Sequence, residues 1–231
     1  MRRQSKAMAK LNLRNSQLAY TITAVGFLLM TSVSMVQVIQ GAGEYFERSY
    51  LLSSGNMLYL LILCGPILIP AVNFVRAMHI GGRKVDFLKG AFLTYVVFAA
   101  VVSIANLVFY VSVDRIWANI FQVANLAAAF GWTENGMVIA FFQQFVFLLL
   151  VSAVVHTLVA IQSSKCGWTF DILLIMAFTT FIAVPFLRSV LITFLRLITV
   201  WQNAWIQIFA CLLVTAVLYI VNKPILNKKV L

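Results

Sequence analysis

The sequence predicts an all-α integral membrane protein, with residues 1–231 forming a single transmembrane domain. Hydrophobic residues make up 63% of the chain and charged residues only 10%, whereas soluble domains contain about 45–50% and about 25%. Six apolar runs reach the length of about 20 residues that a spanning helix needs. Because these runs do not alternate as barrel strands do, and unpaired backbone does not cross hydrocarbon, we expect helices. The predicted spans are 18–39, 57–75, 91–112, 137–161, 168–187 and 203–221.

The positively charged residues predict the orientation of these spans. With the N-terminus in the cytoplasm, thirteen of the 17 Lys and Arg residues fall on the cytoplasmic side. The other four are Arg48, Arg115, Arg188 and Arg196. Because Lys and Arg are retained on the cytoplasmic side, we expect a multi-pass protein of the cell membrane, bacterial in type, with both termini inside. The net charge of +11 then reflects topology, and no nucleic-acid partner is expected.

Residues 1–17 precede the first span and are basic. Met8 and Leu11 have the spacing of one helix face, which predicts an interfacial amphipathic helix on the inner leaflet, attracted to anionic membrane lipid. A disordered basic tail is the alternative.

A polar segment, MHIGGRKVDFLKG, separates the second and third spans. Its glycines allow a sharp turn, after which residues 83–90 are expected to form a short cytoplasmic helix with Asp86 in its first turn. Phe87 gives this helix an apolar contact, so the segment is a candidate docking element. The alternative is a loop whose basic residues only set the topology.

Two segments on the outer side are predicted to be amphipathic. Residues 114–135 contain apolar side chains at the spacing of a short surface helix. Residues 187–203 place their polar side chains in one sector of a helix, including Arg188 and Arg196, which can reach lipid headgroups. That second helix would lie along the outer interface or re-enter the membrane between spans five and six. A simple outward extension of the fifth span is the alternative.

The sequence contains no motif of the common catalytic or metal sites. No G-x-x-x-x-G-K-[ST] and no H-E-x-x-H are present, and the two histidines, His79 and His156, are far apart. We therefore expect no catalytic residue, no metal site and no cofactor on this chain. No acidic residue falls at a predicted midplane, which disfavours an ion-driven carrier.

Two spans contain residues that suggest movement or transport. Gln143, Gln144 and Ser152 in the fourth span are candidates for a substrate path, and the favoured alternative is that they form interhelical hydrogen bonds. Pro66 and Pro70 in the second span bend the helix. They are candidates for a gating hinge, and a passive kink is the alternative.

The stretch GGRKVDFLKGAFLTYVV resembles the segment after the second span in type-2 permeases of ABC transporters, the exporter class. The predicted layout of interfacial helix, six spans and re-entrant helix is similar to that family over nearly the whole chain. The resemblance implies that residues 83–90 are a coupling helix docked in a separate cytoplasmic ATPase, with Arg83, Lys84, Asp86 and Phe87 as contacts. It also implies ATP and Mg on the ATPase, and a second permease copy, identical or related.

The expected function is therefore a non-enzymatic permease subunit of an ATP-driven exporter. Sparse amides in apolar walls suit an amphipathic substrate, with peptide favoured over lipid or drug. The short loops are similar to those of small peptide exporters, such as lantibiotic-immunity and phenol-soluble-modulin exporters. The alternatives are a membrane scaffold or sensor subunit, and a lipid-modifying membrane enzyme, for which the sequence offers no cluster of acid, His and Ser at one depth.

Overall fold

The computed structural model describes residues 3–41, 50–119, 121–162, 167–201 and 203–228, and helices account for most of them. The α-helices are α1 (Arg3–Asn15), α2 (Gln17–Gly41), α3 (Leu60–Leu68), α4 (Phe74–His79), α5 (Lys84–Phe109), α6 (Arg115–Trp117), α7 (Leu126–Ala129), α8 (Met137–Gln162), α9 (Gly167–Ala183), α10 (Pro185–Thr199) and α11 (Ala204–Lys228). The remaining helical pieces are the 3₁₀ turns Ser54–Tyr59 and Trp132–Asn135 and the π-helices Ile69–Asn73 and Tyr110–Asp114.

Several of these helices are long and apolar enough to cross a membrane. Within the described ranges five qualify directly, and a sixth qualifies if α9 and α10 are counted together as one broken span. The five are Gln17–Gln37, Ser54–His79, Lys84–Trp117, Met137–Gln162 and Ala204–Leu226. The prediction of a helical protein with membrane-length helices is confirmed, while the count of six depends on the bent pair.

Helix α8 lies at the centre of the bundle, where it contacts α3, α5 and α11. Helix α5 begins at the end of the bundle where α8 and α11 finish, as the contacts Tyr95–His156 and Phe92–Tyr219 show. We call this the basic end, because α1 and the start of α5 place exposed Lys and Arg residues there. Ser53, Asp114 and the segment 122–135 lie at the opposite end.

The core is formed by aromatic and aliphatic side chains of α3, α4, α5 and α8. Gly65 of α3 lies against Phe98 of α5, and a Cβ at this glycine would be 2.7 Å from Phe98 Cε2. Helices in lipid associate through close packing of this kind, because lipid tails are as apolar as the side chains. Small residues at the contacts therefore set the helix spacing.

The predicted helix between spans two and three is present, with Asp86 in its first turn, but it is not separate from span three. Helix α5 starts at Lys84 and continues unbroken to Phe109, so residues 84–90 are its first turns. The stretch Lys84–Trp117 has 34 residues and spans about 51 Å at the α-helical rise. That length exceeds the bilayer hydrocarbon thickness of about 30 Å. The polar first turns, residues 84–90, can therefore lie outside the hydrocarbon.

The predicted surface helix over residues 114–135 is wrong. The described part of this segment contains the short helices α6 and α7, a 3₁₀ turn and the strand β2 (Gln122–Ala124). Strand β2 pairs in parallel with β1 (Tyr50–Leu52), with Leu51 opposite Val123. This two-stranded sheet was not predicted, because its two strands lie about seventy positions apart in the chain.

The fifth predicted span ends earlier than expected. Helix α9 stops at Ala183, and α10 starts at Pro185 with a bend of 105° between the two axes. Val184 is extended, as the residue before a proline prefers, and Pro185 occupies the first turn, where its missing N–H costs no helical hydrogen bond. A straight outward extension of the fifth span is therefore wrong, and a separate helix follows it.

Candidate functional site

The four predicted contact residues at the start of α5 divide into buried and accessible pairs. Asp86 is only 4% exposed, and its Oδ1 accepts a hydrogen bond from Ser5 Oγ at 3.0 Å. Phe87 is fully buried and packs edge-to-face on Phe74, with 5.2 Å between ring centroids. Arg83 is exposed and Lys84 is half-buried. Asp86 and Phe87 thus belong to the interior of this structure, and Arg83 and Lys84 belong to its surface.

Helix α1 covers the buried pair. A Cβ at Gly90 would lie 2.6 Å from Met8 Cβ, and one at Gly82 would lie 2.6 Å from Met8 Cε, so both glycines leave room for α1. The face of α1 that packs inward carries Ser5, Ala9 and Asn12. The alternative of a disordered tail is therefore wrong for Arg3–Asn15.

The outward face of α1 is strongly basic. Its charged residues recur at steps of three and four positions, which places them in one stripe along the helix. With Arg83, which precedes α5, and Lys89 of α5 they form what we call the basic surface. Its residues are Arg3, Lys6, Lys10, Arg14, Arg83 and Lys89, all exposed. The nearby acid, Asp86, is buried and hydrogen-bonded. This surface therefore suits anionic lipid headgroups or an acidic partner surface.

The polar residues of α8 lie between helices. Gln143 Nε2 donates to Gln207 Oε1 of α11 at 2.6 Å, and Gln144 Nε2 donates to Tyr59 Oη at 2.7 Å. Ser152 is fully buried, and its hydroxyl has no hydrogen-bond partner among the described residues. Both glutamines make the interhelical bonds that were the alternative to a substrate path, and a path along these three residues stays a prediction.

Two further contacts of α8 lie nearer the basic end. The hydroxyl of Tyr95 and Nδ1 of His156 are 2.7 Å apart, and Asn222 Nδ2 donates to Thr157 Oγ1 at 2.7 Å. His156 is fully buried in this packing. Polar groups of α8 thus connect it to α5 and to α11 along its length.

A buried polar network joins the segments at the opposite end. Asp114 Oδ2 accepts hydrogen bonds from Ser53 Oγ and from Asn125 Nδ2, both at 2.7 Å. Asn125 and Asn106 also exchange amide hydrogen bonds, and Asn106 Nδ2 donates to Tyr59 Oη at 2.9 Å. Sequence reasoning missed this network, because its members are separated by up to 72 positions and share no motif.

The end of α10 is held by side chains from other elements. Trp132 Nε1 donates to the Thr199 carbonyl at 2.7 Å, and Gln207 Nε2 donates to the Ile198 carbonyl at 3.1 Å. These bonds satisfy carbonyls that a helix C-terminus leaves unpaired. Arg188 and Arg196, the predicted interfacial residues, are both exposed on α10.

The two candidate hinge prolines are buried in the second predicted span. Pro66 lies inside α3, and Pro70 lies in the π-helix Ile69–Asn73 that follows. Prolines and π-bulges both disturb regular helical hydrogen bonding, and each is a known cause of a bend. Gating by this irregular segment stays a prediction.

Among the described residues, no group of three or more His, Cys, Asp and Glu side chains lies close enough to hold a metal ion. Comparison with protein-family models, with curated proteins and with solved structures finds no match to this chain. The functional inference therefore depends on the chain's own residues.

Proposed function

We propose that this chain is a permease subunit of an ATP-driven exporter, coupled to a separate cytoplasmic ATPase that binds ATP and Mg. The observation that carries this proposal is the close packing of α1 on the first turns of α5 at the basic end. Ser5, Met8 and Ala9 pack on Asp86 and Gly90, so the two helices form one braced unit. A partner that moves this unit moves a whole spanning helix.

Helix α5 is suited to transmit such a movement. It has 26 residues and extends about 39 Å without interruption. Its middle section packs on α3, which contains the candidate hinge residue Pro66, and on α8, which contains the buried glutamines. A displacement at the basic end therefore reaches the centre of the bundle through direct side-chain contact.

The surface offered to the ATPase differs from the one that the family resemblance implies. Because Asp86 and Phe87 are buried, the accessible side chains of the turn include Ile80, Arg83 and Val85, with Ile80 69% and Val85 41% exposed. Two aliphatic side chains beside a guanidinium suit a partner groove with an apolar floor and an acidic rim. Asp86 and Phe87 then act indirectly, by fixing α1 to α5.

The proposed cargo is amphipathic, with a peptide favoured. Helices α2, α9 and α10 have broad exposed apolar surfaces, and α10 presents Arg188 and Arg196 beside them. Apolar surface with a few cations suits a molecule that has a long apolar part and a small anionic part. A second permease copy would complete a path along these helices.

The test is co-purification of the tagged chain from its native membrane in mild detergent. We expect an ATPase with a phosphate-binding loop and Mg-dependent ATP hydrolysis in the wild-type preparation. Arg83→Glu and Val85→Asp should each lower the amount of associated ATPase by about tenfold, because each places an acid at the contact. Arg115→Glu, a charge reversal at an exposed site of the opposite end, is the matched control and should have no effect.

Two results would contradict the proposal. One is a wild-type preparation without any associated ATPase, which would favour a scaffold or sensor. The other is normal association in both variants of the turn, which would remove the turn from the contact even if an ATPase is present.

A further inference from the structure

We infer that the groove between α5 and α11 binds one anionic phospholipid from the leaflet at the basic end. The groove has a volume of about 740 Å³ and is lined largely by apolar side chains. That volume falls in the range of about 300–1,000 Å³ that is typical of small-molecule sites. This site is independent of the ATPase partner proposed above.

The shape of the groove fits an acyl chain. Its floor is Leu149 of α8, and its walls are Phe92 of α5 and Leu212 of α11, both of which are exposed. From Leu212 to Tyr219 the groove follows α11 for about 10 Å at the helical rise. The hydroxyl of Thr215 donates to the Cys211 carbonyl of its own helix, so it has no proton left to donate to a ligand.

The charges lie at one end of the groove. Lys89 lines it and is exposed, and it is one turn nearer the basic end than Phe92, which packs on Tyr219 with 4.6 Å between ring centroids. On α11, Lys223 lies one turn beyond Tyr219 on the same helix face and is also exposed. Lys89 therefore lies on the α5 side of the groove and Lys223 on the α11 side, both at the basic end, where the phosphate of a bound lipid would lie.

Acidic side chains near this end of the groove do little to neutralise Lys89 and Lys223. Asp86, one turn before Lys89, is buried and accepts a hydrogen bond from Ser5. Asp171, the other acid at this end among the described residues, lies in the first turns of α9 and accepts a hydrogen bond from Gln162. Basic pockets between spanning helices bind anionic headgroups, because each cation near the surface attracts the phosphate.

A lipid fits better than a helix of a second copy. A packed helix would cover Lys89 and Lys223 and leave two cations in an apolar contact, at a large desolvation cost. A lipid instead places its phosphate beside the ammonium groups and its chain along Phe92 and Leu212. The apolar groove and the two lysines together thus favour a lipid that has an apolar chain and an anionic headgroup.

The experiment is native mass spectrometry of the purified chain with equal amounts of palmitoyl-oleoyl phosphatidylglycerol and phosphatidylcholine. We expect one retained lipid, with phosphatidylglycerol preferred. Lys89→Gln and Lys223→Gln should each reduce this preference about fivefold. Ala216→Trp, which fills the groove without a change of charge, should remove the retained lipid. Lys10→Gln is the matched control, since this exposed lysine lies on α1 outside the groove.

Thermal unfolding of every variant separates loss of the site from loss of the fold. Equal retention of both lipids by the wild type would overturn the inference. An equal effect of Lys10→Gln would overturn it as well, since it would show diffuse attraction to the basic surface. Unchanged lipid retention in Ala216→Trp would exclude the groove, and a dimer broken by that variant would identify a second copy as the occupant.

Discussion

Gly90 shows how one residue sets a helix contact in this protein. A Cβ there would lie 3.0 Å from the Ala9 backbone nitrogen and 3.1 Å from the Ser5 carbonyl oxygen, so only glycine allows α1 to approach so closely. That approach brings Ser5 within hydrogen-bond distance of Asp86. A buried carboxylate without a partner is costly, so the glycine and the hydrogen bond depend on each other.

Asp114 is the residue for which substitution is most informative. Both of its hydrogen bonds end on the same oxygen, from Ser53 and from Asn125. Asp114→Asn can present an amide oxygen at that position and keep both bonds. Asp114→Leu leaves the buried Ser53 hydroxyl without its acceptor and removes the shortest hydrogen bond of the Asn125 amide. We expect the leucine variant to lose about 2 kcal/mol or more of unfolding free energy, and the asparagine variant less than about 1 kcal/mol.

Reversible unfolding in mixed micelles measures the stability of both Asp114 variants against the wild type. Equal losses would show that the charge of Asp114, and not the hydrogen-bond geometry, stabilises this end of the bundle.

Among the elements, α10 depends most on neighbours for its position. None of its residues is buried, and its last carbonyls are bound by Trp132 and Gln207. Because the chain bends at Pro185, the direction of α9 does not set that of α10. The hydrogen bonds from Trp132 and Gln207 therefore fix the position of the C-terminal end of α10.

Trp132→Phe tests this attachment. Trp132 is 1% exposed, and the variant removes its bond to the Thr199 carbonyl and leaves a small cavity. We expect a loss of about 1–3 kcal/mol in stability. Backbone amides of residues 196–200 should exchange with deuterium faster in hydrogen-exchange mass spectrometry.

The matched control is Trp205→Phe, because Trp205 is 65% exposed and starts α11 near the same turn. It should change stability by less than about 0.5 kcal/mol. Unchanged exchange at residues 196–200 in Trp132→Phe would mean that the other contacts are sufficient to hold α10.

At the scale of the whole molecule, charge and polarity divide the bundle into two ends. The basic end has exposed Lys and Arg on α1, α5 and α11, while the opposite end has Asp114 inside a neutral network of amides and hydroxyls. Retention of Lys and Arg on the cytoplasmic side predicts that the basic end faces the cytoplasm.

Cysteine labelling tests that orientation. In a variant without native cysteines, Val85→Cys at the basic end and Glu134→Cys at the opposite end are both at exposed positions. A membrane-impermeant maleimide should label Glu134→Cys in intact cells, and Val85→Cys only after permeabilisation. The reverse pattern would place the proposed ATPase contact outside the cell and contradict the proposed function.

Much of the helical layout could be derived from the sequence, and most of the side-chain pairing could not. The spans around residues 57–75 and 137–161 were predicted within a few residues, because a long apolar run in lipid has to form its backbone hydrogen bonds within itself. The stripe Ser5, Ala9 and Asn12, small and polar residues at steps of three and four, is a detectable signal for a helix contact that the spacing of Met8 and Leu11 does not include.

Amino-acid order alone is sufficient to predict a helical membrane-type chain with a basic end and an amphipathic helix after the fifth span, because length, charge and helical periodicity act locally. The packed helices establish that Asp86 and Phe87 face inward, that the glutamines of α8 pair with α11 and Tyr59, and that residues 50–52 meet 122–124. The physical reason is that lipid and protein neighbours are equally apolar, so no periodicity marks the buried face of a spanning helix. Partners that are distant in sequence become evident only when the helices are assembled.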